Sequence, residues 1–226
     1  MAETESVRAE DARSEEREKR AFDRMVAFSD GVFAIAITLL VLDLRLPDAD
    51  MTGVRQPLAP LLPKLTPSMF AFALSFVVIG GYWVSHHRLF KYIERTDTRL
   101  IWLNLLVLFC VVLLPFPTQI VARYGDTTLG ILIYAGAMTI TGISLVGLTA
   151  YAYSAHLTSP DASERVALIK SSITPGVFAL SMLVSLWSPE WATRMWWLVA
   201  VGFFVIDPIL NSNWRLKDRG AKKERS

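Results

Sequence analysis

Six stretches free of charge divide the chain, at residues 31–42, 65–85, 100–122, 127–155, 171–187 and 195–206. A helix needs about 20 residues to cross a hydrocarbon core of about 30 Å, so this pattern predicts membrane-spanning helices rather than strands. With their flanks, the spans are expected at about 24–45, 65–94, 98–122, 127–155, 166–187 and 192–213, the last running past Asp207-Pro208. The first is unusual, because its uncharged centre reaches only from Gly31 to Leu42. Residues 1–20 carry mostly charge and alanine and read as a solvated tail with frayed-helix character. Residues 215–226 form a basic tail, leaving 21–214 as the transmembrane domain. Pro57, Pro60, Pro63 and Pro67 predict a stiff, non-helical first connection. Pro115 and Pro117 predict a bend or an end in the third span, and Pro175-Gly176 a kink in the fifth.

Composition agrees with the pattern. Of 226 residues, 53% are apolar and 19% charged, too little polar surface to coat a soluble core of this size, which excludes a soluble enzyme. The 23 Lys and Arg against 21 Asp and Glu lie in tails and loops rather than in a basic stripe, so no nucleic-acid partner is expected. Eighteen of the 23 cationic residues fall on one side of a six-span layout, which by the positive-inside rule makes both termini cytoplasmic. Cys110 is the single cysteine and can form neither an intrachain disulfide nor a Cys-built metal site. His86 and His87 point about 100° apart on a helix and lack a completing ligand set, so no metal and no cofactor is expected. Tyr82, Trp83, Trp102, Trp187, Trp191, Trp196 and Trp197 fall near span ends, as headgroup anchors do. Asp207 reads as an end-of-span group within reach of Asn211 or Arg215.

The first span carries the chemistry. With Arg24 at zero and about 100° per residue, Phe28, Ile35, Thr38 and Leu42 cluster within about 40° of it, with Leu39 at the edge, and Asp30 falls on another face with Ala34, Ile37 and Val41. By periodicity alone the stripe faces lipid, neighbouring spans or a pore. Charged groups such as Arg24 and Asp30 near a bilayer need protein, water or each other as partners.

The segment Arg24-x-x-x-Phe28-Ser29-Asp30, followed by Gly-Val-Phe-Ala-Ile-Ala-Ile-Thr-Leu-Leu-Val-Leu, resembles the signature of the endosomal and lysosomal potassium channels and their single-repeat prokaryotic homologues. The resemblance implies an all-α polytopic membrane protein with six transmembrane helices per subunit. It further implies a homotetramer in which the first helix of each subunit lines a central pore. Ile35 would form the narrowest apolar ring, Leu42 a second, Thr38 a hydroxyl ring between them that selects cations, and Leu39 a contributor to the wall. Arg24, Ser29 and Asp30 would join Trp83, Asn104 and one of His86 and His87 in a hydrogen-bonded cluster that fixes the helices. Arg24 would otherwise set a positive ring at the mouth, and Asp23, a neighbouring subunit's Asp30 or that cluster would have to neutralise it.

No loop contains a Thr-Val-Gly-Tyr-Gly-like filter, so a carbonyl-ring mechanism lacks its residues. The expectation is a leak-type, moderately potassium-selective channel in a prokaryotic plasma membrane, gated by apolar rings and without enzymatic activity. A proton-conducting channel, a proton-coupled carrier using Asp30 and a histidine, and an accessory membrane protein are the alternatives.

Overall fold

Helix α1, Ala2–Leu39, begins within the charged tail and continues without interruption into the apolar segment. Its 38 residues make a rod about 57 Å long. In the exposed part Arg20 pairs with Glu16 one turn back at 2.6 Å, a spacing that supports isolated helix. Beyond Leu39 the chain tightens into a 3₁₀ turn, Leu40–Asp43. The computed structural model describes residues 2–44, 59, 61–160 and 163–202.

Helix α2, Thr66–Phe90, follows a 3₁₀ turn over Leu62–Leu65. Pro63 lies in that turn and Pro67 in the first turn of α2, so the described part of the first connection is helical where a non-helical loop was expected. A proline in a first turn gives up an N–H that has no intrahelical partner anyway, which is why the helix starts ahead of Pro67. Pro57 and Pro60 lie outside the described residues.

The third span is broken where its prolines predict. Helix α3, Thr98–Leu113, stops at Leu114, and α4 continues as Pro115–Tyr124. Pro115 and Pro117 have no N–H to give to the carbonyls of Val111 and Leu113. The Val111 carbonyl instead accepts from the Leu114 amide at 3.1 Å, a tighter i to i+3 bond. Helix α5, Thr128–Ser154, is capped by Thr127, whose hydroxyl accepts from the Gly130 amide at 3.1 Å. A side chain at Gly130 would stand 2.1 Å from the Tyr124 carbonyl oxygen, so the turn between α4 and α5 requires glycine there.

Helix α6, Glu164–Ser185, continues through Pro175 without a break. It packs intimately on α5, so close that a Cβ added at Gly142 would stand only 2.6 Å from the Pro175 ring. Helix α7, Pro189–Met195, and α8, Trp197–Val201, open the sixth predicted span. The rest of that span, Asp207, Asn211, Arg215 and the basic tail lie outside the described residues.

Among the described residues five helical segments are long and apolar enough to cross a membrane, and the architecture is all-α, as the pattern predicts. Its core includes Val78, Val107, Val111, Ile131, Met138 and Phe178, all buried between helices. Two aromatic anchors prove to be core residues instead. Tyr82 is buried with its hydroxyl donating to the Met138 carbonyl at 2.7 Å, and Trp196 is buried with its indole N–H donating to Ser181 at 3.0 Å. Each turns inward because a polar partner awaits it there, whereas Trp102, Trp187, Trp191 and Trp197 remain exposed.

Asp97 caps α3, accepting from the Leu100 amide at 2.7 Å, and receives the Tyr151 hydroxyl from α5. The Tyr151 bond first, and then the backbone amide, hold the Asp97 carboxyl below the usual carboxylate range. A depressed folded-state value means that this ionised carboxylate stabilises the fold above its ordinary unfolded value, near 3.8, and that the contribution is lost as pH falls through the lower folded value. Asp97→Asn keeps a capping oxygen but cannot titrate. It is expected to flatten the acid limb of the stability profile below about pH 4, measured as thermal midpoint against pH in detergent.

Candidate functional site

Helix α1 and the 3₁₀ turn that continues it present two opposed faces. Ser29, Phe33, Ala36 and Leu40, at successive spacings of four, three and four, are buried against the rest of the subunit. That side faces α2 and α3, the neighbours of α1. The opposite side carries Phe28, Ile35, Thr38, Leu39 and Leu42, all exposed, with Ile35 at 60% and Leu42 at 58%. The sequence-predicted stripe therefore points away from the rest of the described chain. Periodicity separates the faces, and burial assigns them.

Thr38 sits within this stripe with its hydroxyl donating to the Ile35 carbonyl at 2.9 Å. With the proton committed to the backbone, the oxygen keeps lone pairs for a further donor or a cation. Arg24 is exposed and takes part in no ion pair among the described residues, which do not supply the partner it was expected to need.

Behind the stripe, a chain of hydrogen bonds ties three helices together. His86 on α2 and Asn104 on α3 meet at 2.8 Å, and the Asn104 amide nitrogen donates to Ser29 on α1 at 3.0 Å. The Ser29 hydroxyl in turn donates to the Met25 carbonyl at 2.9 Å. Directions follow from the last acceptor. A carbonyl can only accept, so Ser29 spends its single proton there and must accept from Asn104 Nδ2. Asn104 Oδ1 is then left as acceptor, which places the His86 ring proton on Nε2. Ser29, His86 and Asn104 are each no more than 1% exposed, so every one of these polar groups is paired where water does not reach.

The two histidines separate sharply. His86 enters the buried chain, whereas His87 is half-buried and stacks on Trp83, ring centres 5.4 Å apart. The Trp83 indole N–H donates to Asp30 Oδ1 at 2.8 Å, giving α1 a second tie to α2 near the surface. Phe33 and Phe90 are contributors that the sequence reading passed over. The His86 ring stacks on Phe90 at 4.2 Å and meets Phe33 at 5.5 Å. Both were within reach of a spacing argument: Phe33 is one turn from Ser29 and Phe90 one turn from His86, hence on the same faces.

A protein from Chamaesiphon minutus named a potassium channel is 34% identical over 187 residues, covering 80% of this chain and 92% of its own length. The family model described as endosomal/lysosomal potassium channel TMEM175 matches residues 24–115. The chain belongs to the TMEM175 family. A potassium channel of Streptomyces collinus is 52% identical over 101 residues, and there the match spans 45% of this chain and 48% of the relative. A crystal structure described as a lysosomal potassium-selective TMEM175 homolog from Chamaesiphon minutus superposes with a TM-score of 0.69 at 31% identity, over 81% of this chain and 96% of that one. TMEM175 is a family of ion channels, not of enzymes. The matched residues contain the exposed stripe and the complete chain from Met25 to His86.

Replacing Asn104 with Leu removes both middle partners and strands the His86 ring proton in the core. The expected cost is about 1–3 kcal/mol, read as a lower thermal midpoint of the detergent-solubilised protein. Equal midpoints for Asn104→Leu and wild type would deny the chain any role in holding α1.

Proposed function

We propose that this protein is a leak-type cation channel with moderate preference for potassium, assembled as a homotetramer around four copies of α1. The observation that carries this reading is the exposed stripe of Ile35, Thr38, Leu39 and Leu42 on the side of α1 that the rest of the described chain leaves uncovered. Large apolar side chains converging from four copies make a constriction too narrow and too dry for a hydrated ion when closed, and widening it lowers the desolvation barrier. Ile35 is the narrowest ring and Leu42 the outer one, with Leu39 contributing to the wall. Thr38 offers four hydroxyl oxygens between them. Four such oxygens replace only part of a hydration shell, which favours the more weakly hydrated potassium over sodium to a modest degree.

Ser29 and Asp30, with Trp83, His86 and Asn104, serve as architecture that orients α1, His87 supports Trp83, and the exposed Arg24 and Phe28 take their partners from a neighbouring subunit. The relatives named as potassium channels support the choice of ion. The bacterial sources of the potassium-channel relatives support a prokaryotic plasma membrane, the five long apolar helices support a multi-pass protein, and the 18-to-5 distribution of cationic residues supports cytoplasmic termini. For proton conduction through an Asp30 and histidine relay, the geometry offers less. Asp30 is held by Trp83 and His86 by Asn104, each engaged by a different partner.

Planar-bilayer recording of purified protein under a potassium/sodium gradient tests the reading. Ile35→Asn is expected to enlarge the current about tenfold, as lowering the barrier by about 1.4 kcal/mol would; saturable flux without unitary steps would indicate a carrier instead. Thr38→Ala is expected to move the reversal potential toward equal permeability of the two ions. An unchanged ratio would remove Thr38 from selection.

A further inference from the structure

About three turns along α2 from His86, on nearly the same face of that helix, lies a second buried polar chain, made entirely of hydroxyls. Ser75 on α2 meets Thr118 on α4 at 2.9 Å and Tyr134 on α5 at 3.0 Å, and Thr118 donates to the Leu114 carbonyl at 2.9 Å. All three are at most 2% exposed. The same one-proton argument fixes the order. Thr118 gives its proton to Leu114, so it accepts from Ser75, and Ser75 then accepts from Tyr134. Every hydroxyl proton is used, and the chain ends at the residue where the third span breaks.

We propose that Ser75, Thr118 and Tyr134 form a latch that positions the pore-lining end of α1 and thereby sets how far the Leu42 ring opens. This rests on the pore assigned to α1 above. Helix α4 is severed from α3 at Leu114 and Pro115, so the continuous hydrogen-bond ladder of a helix does not hold it in line. It nevertheless contacts the 3₁₀ turn Leu40–Asp43 at the end of α1, as α2 does. Leu40 within that turn and Leu114 at the break are both fully buried. A wedge hinged at one end and bearing on the turn that carries Leu42 needs a fixed point, and Thr118 supplies it.

The other end of the latch is rigid. Tyr134 lies against Trp196 at 5.0 Å and Phe178 at 5.9 Å, which joins it to α6 and to the residue between α7 and α8. Trp196 is itself tied to Ser181, whose hydroxyl returns to the Phe178 carbonyl at 2.8 Å. Position is thus transmitted from the α5–α6 pair through three oxygens to α4, and from α4 to the turn after Leu39.

The test compares potassium currents of the full-length protein in bilayers. Thr118→Val keeps the shape and loses the hydroxyl; it is expected to raise open probability at least threefold, while Thr118→Ser, which restores the oxygen, returns it to the wild-type value. Tyr134→Phe removes only the terminal donor and is expected to shift open probability in the same direction by a smaller factor. It also decides the matter if Thr118→Val does not yield folded protein. Thr149→Val serves as the control, because Thr149 makes a buried bond of the same kind, to the Leu145 carbonyl at 2.8 Å, elsewhere on α5. Wild-type open probability in both latch variants, or an equal rise in Thr149→Val, would overturn the latch. Ile35→Asn recorded alongside separates the two ideas: no response there refutes the pore assigned to α1, whereas a response there with silent latch variants refutes the latch alone.

Discussion

The Asn104 side chain, bonded at once to α2 and α1, is the contact on which the arrangement of the first three helices depends. Inside a membrane, lipid tails solvate leucine as well as a neighbouring helix does, so apolar burial gives little orientation to a helix. Hydrogen bonds between helices carry direction. One amide that must satisfy His86 on one side and Ser29 on the other permits a single rotation of α1 about its axis. Rotating α1 by one residue would take Ser29 out of reach and turn Ile35 and Leu42 away from their common direction. The exposed stripe therefore follows from the buried chain behind it.

The same logic explains why the fold divides its polar groups between two layers. The His86 chain acts on α1 in its second half, at Met25 and Ser29, where the helix is regular and the partners come from α2 and α3. The hydroxyl chain acts through α4, whose separation from α3 is a consequence of two prolines. Between the two chains on α2 lie the apolar Val78 and Ile79 and the Tyr82 hydroxyl bonded to the Met138 carbonyl. Burying hydroxyls is tolerable where each finds an acceptor, and several find a carbonyl one turn back along their own helix, as Thr141, Thr149 and Ser171 do.

Much of this was readable beforehand. The first five apolar helices, the break after Leu114 and the stripe on α1 follow from periodicity and proline chemistry, and the membership of Ser29 and Asn104 in a polar cluster was implied by the family resemblance. The reading failed where the direction of a side chain depends on tertiary partners. Tyr82 and Trp196 sit near span ends by residue count, yet they turn into the core because Met138 and Ser181 offer acceptors there. His86 and His87 are chemically identical neighbours, and only the rotation of α2 separates them. Pro63 and Pro67 looked like loop residues because proline is a poor interior helix former, although a first turn suits it.

Asn104 also has a bearing on charge leakage. Hydroxyls and imidazoles can hand a hydrogen ion along a row by taking one up and releasing another, but a carboxamide can do so only through a high-energy imidic acid form. Placed between His86 and Ser29, it leaves the row mechanically strong and electrically insulating. A helix support of this composition can run beside an ion pathway without becoming a shunt for acid.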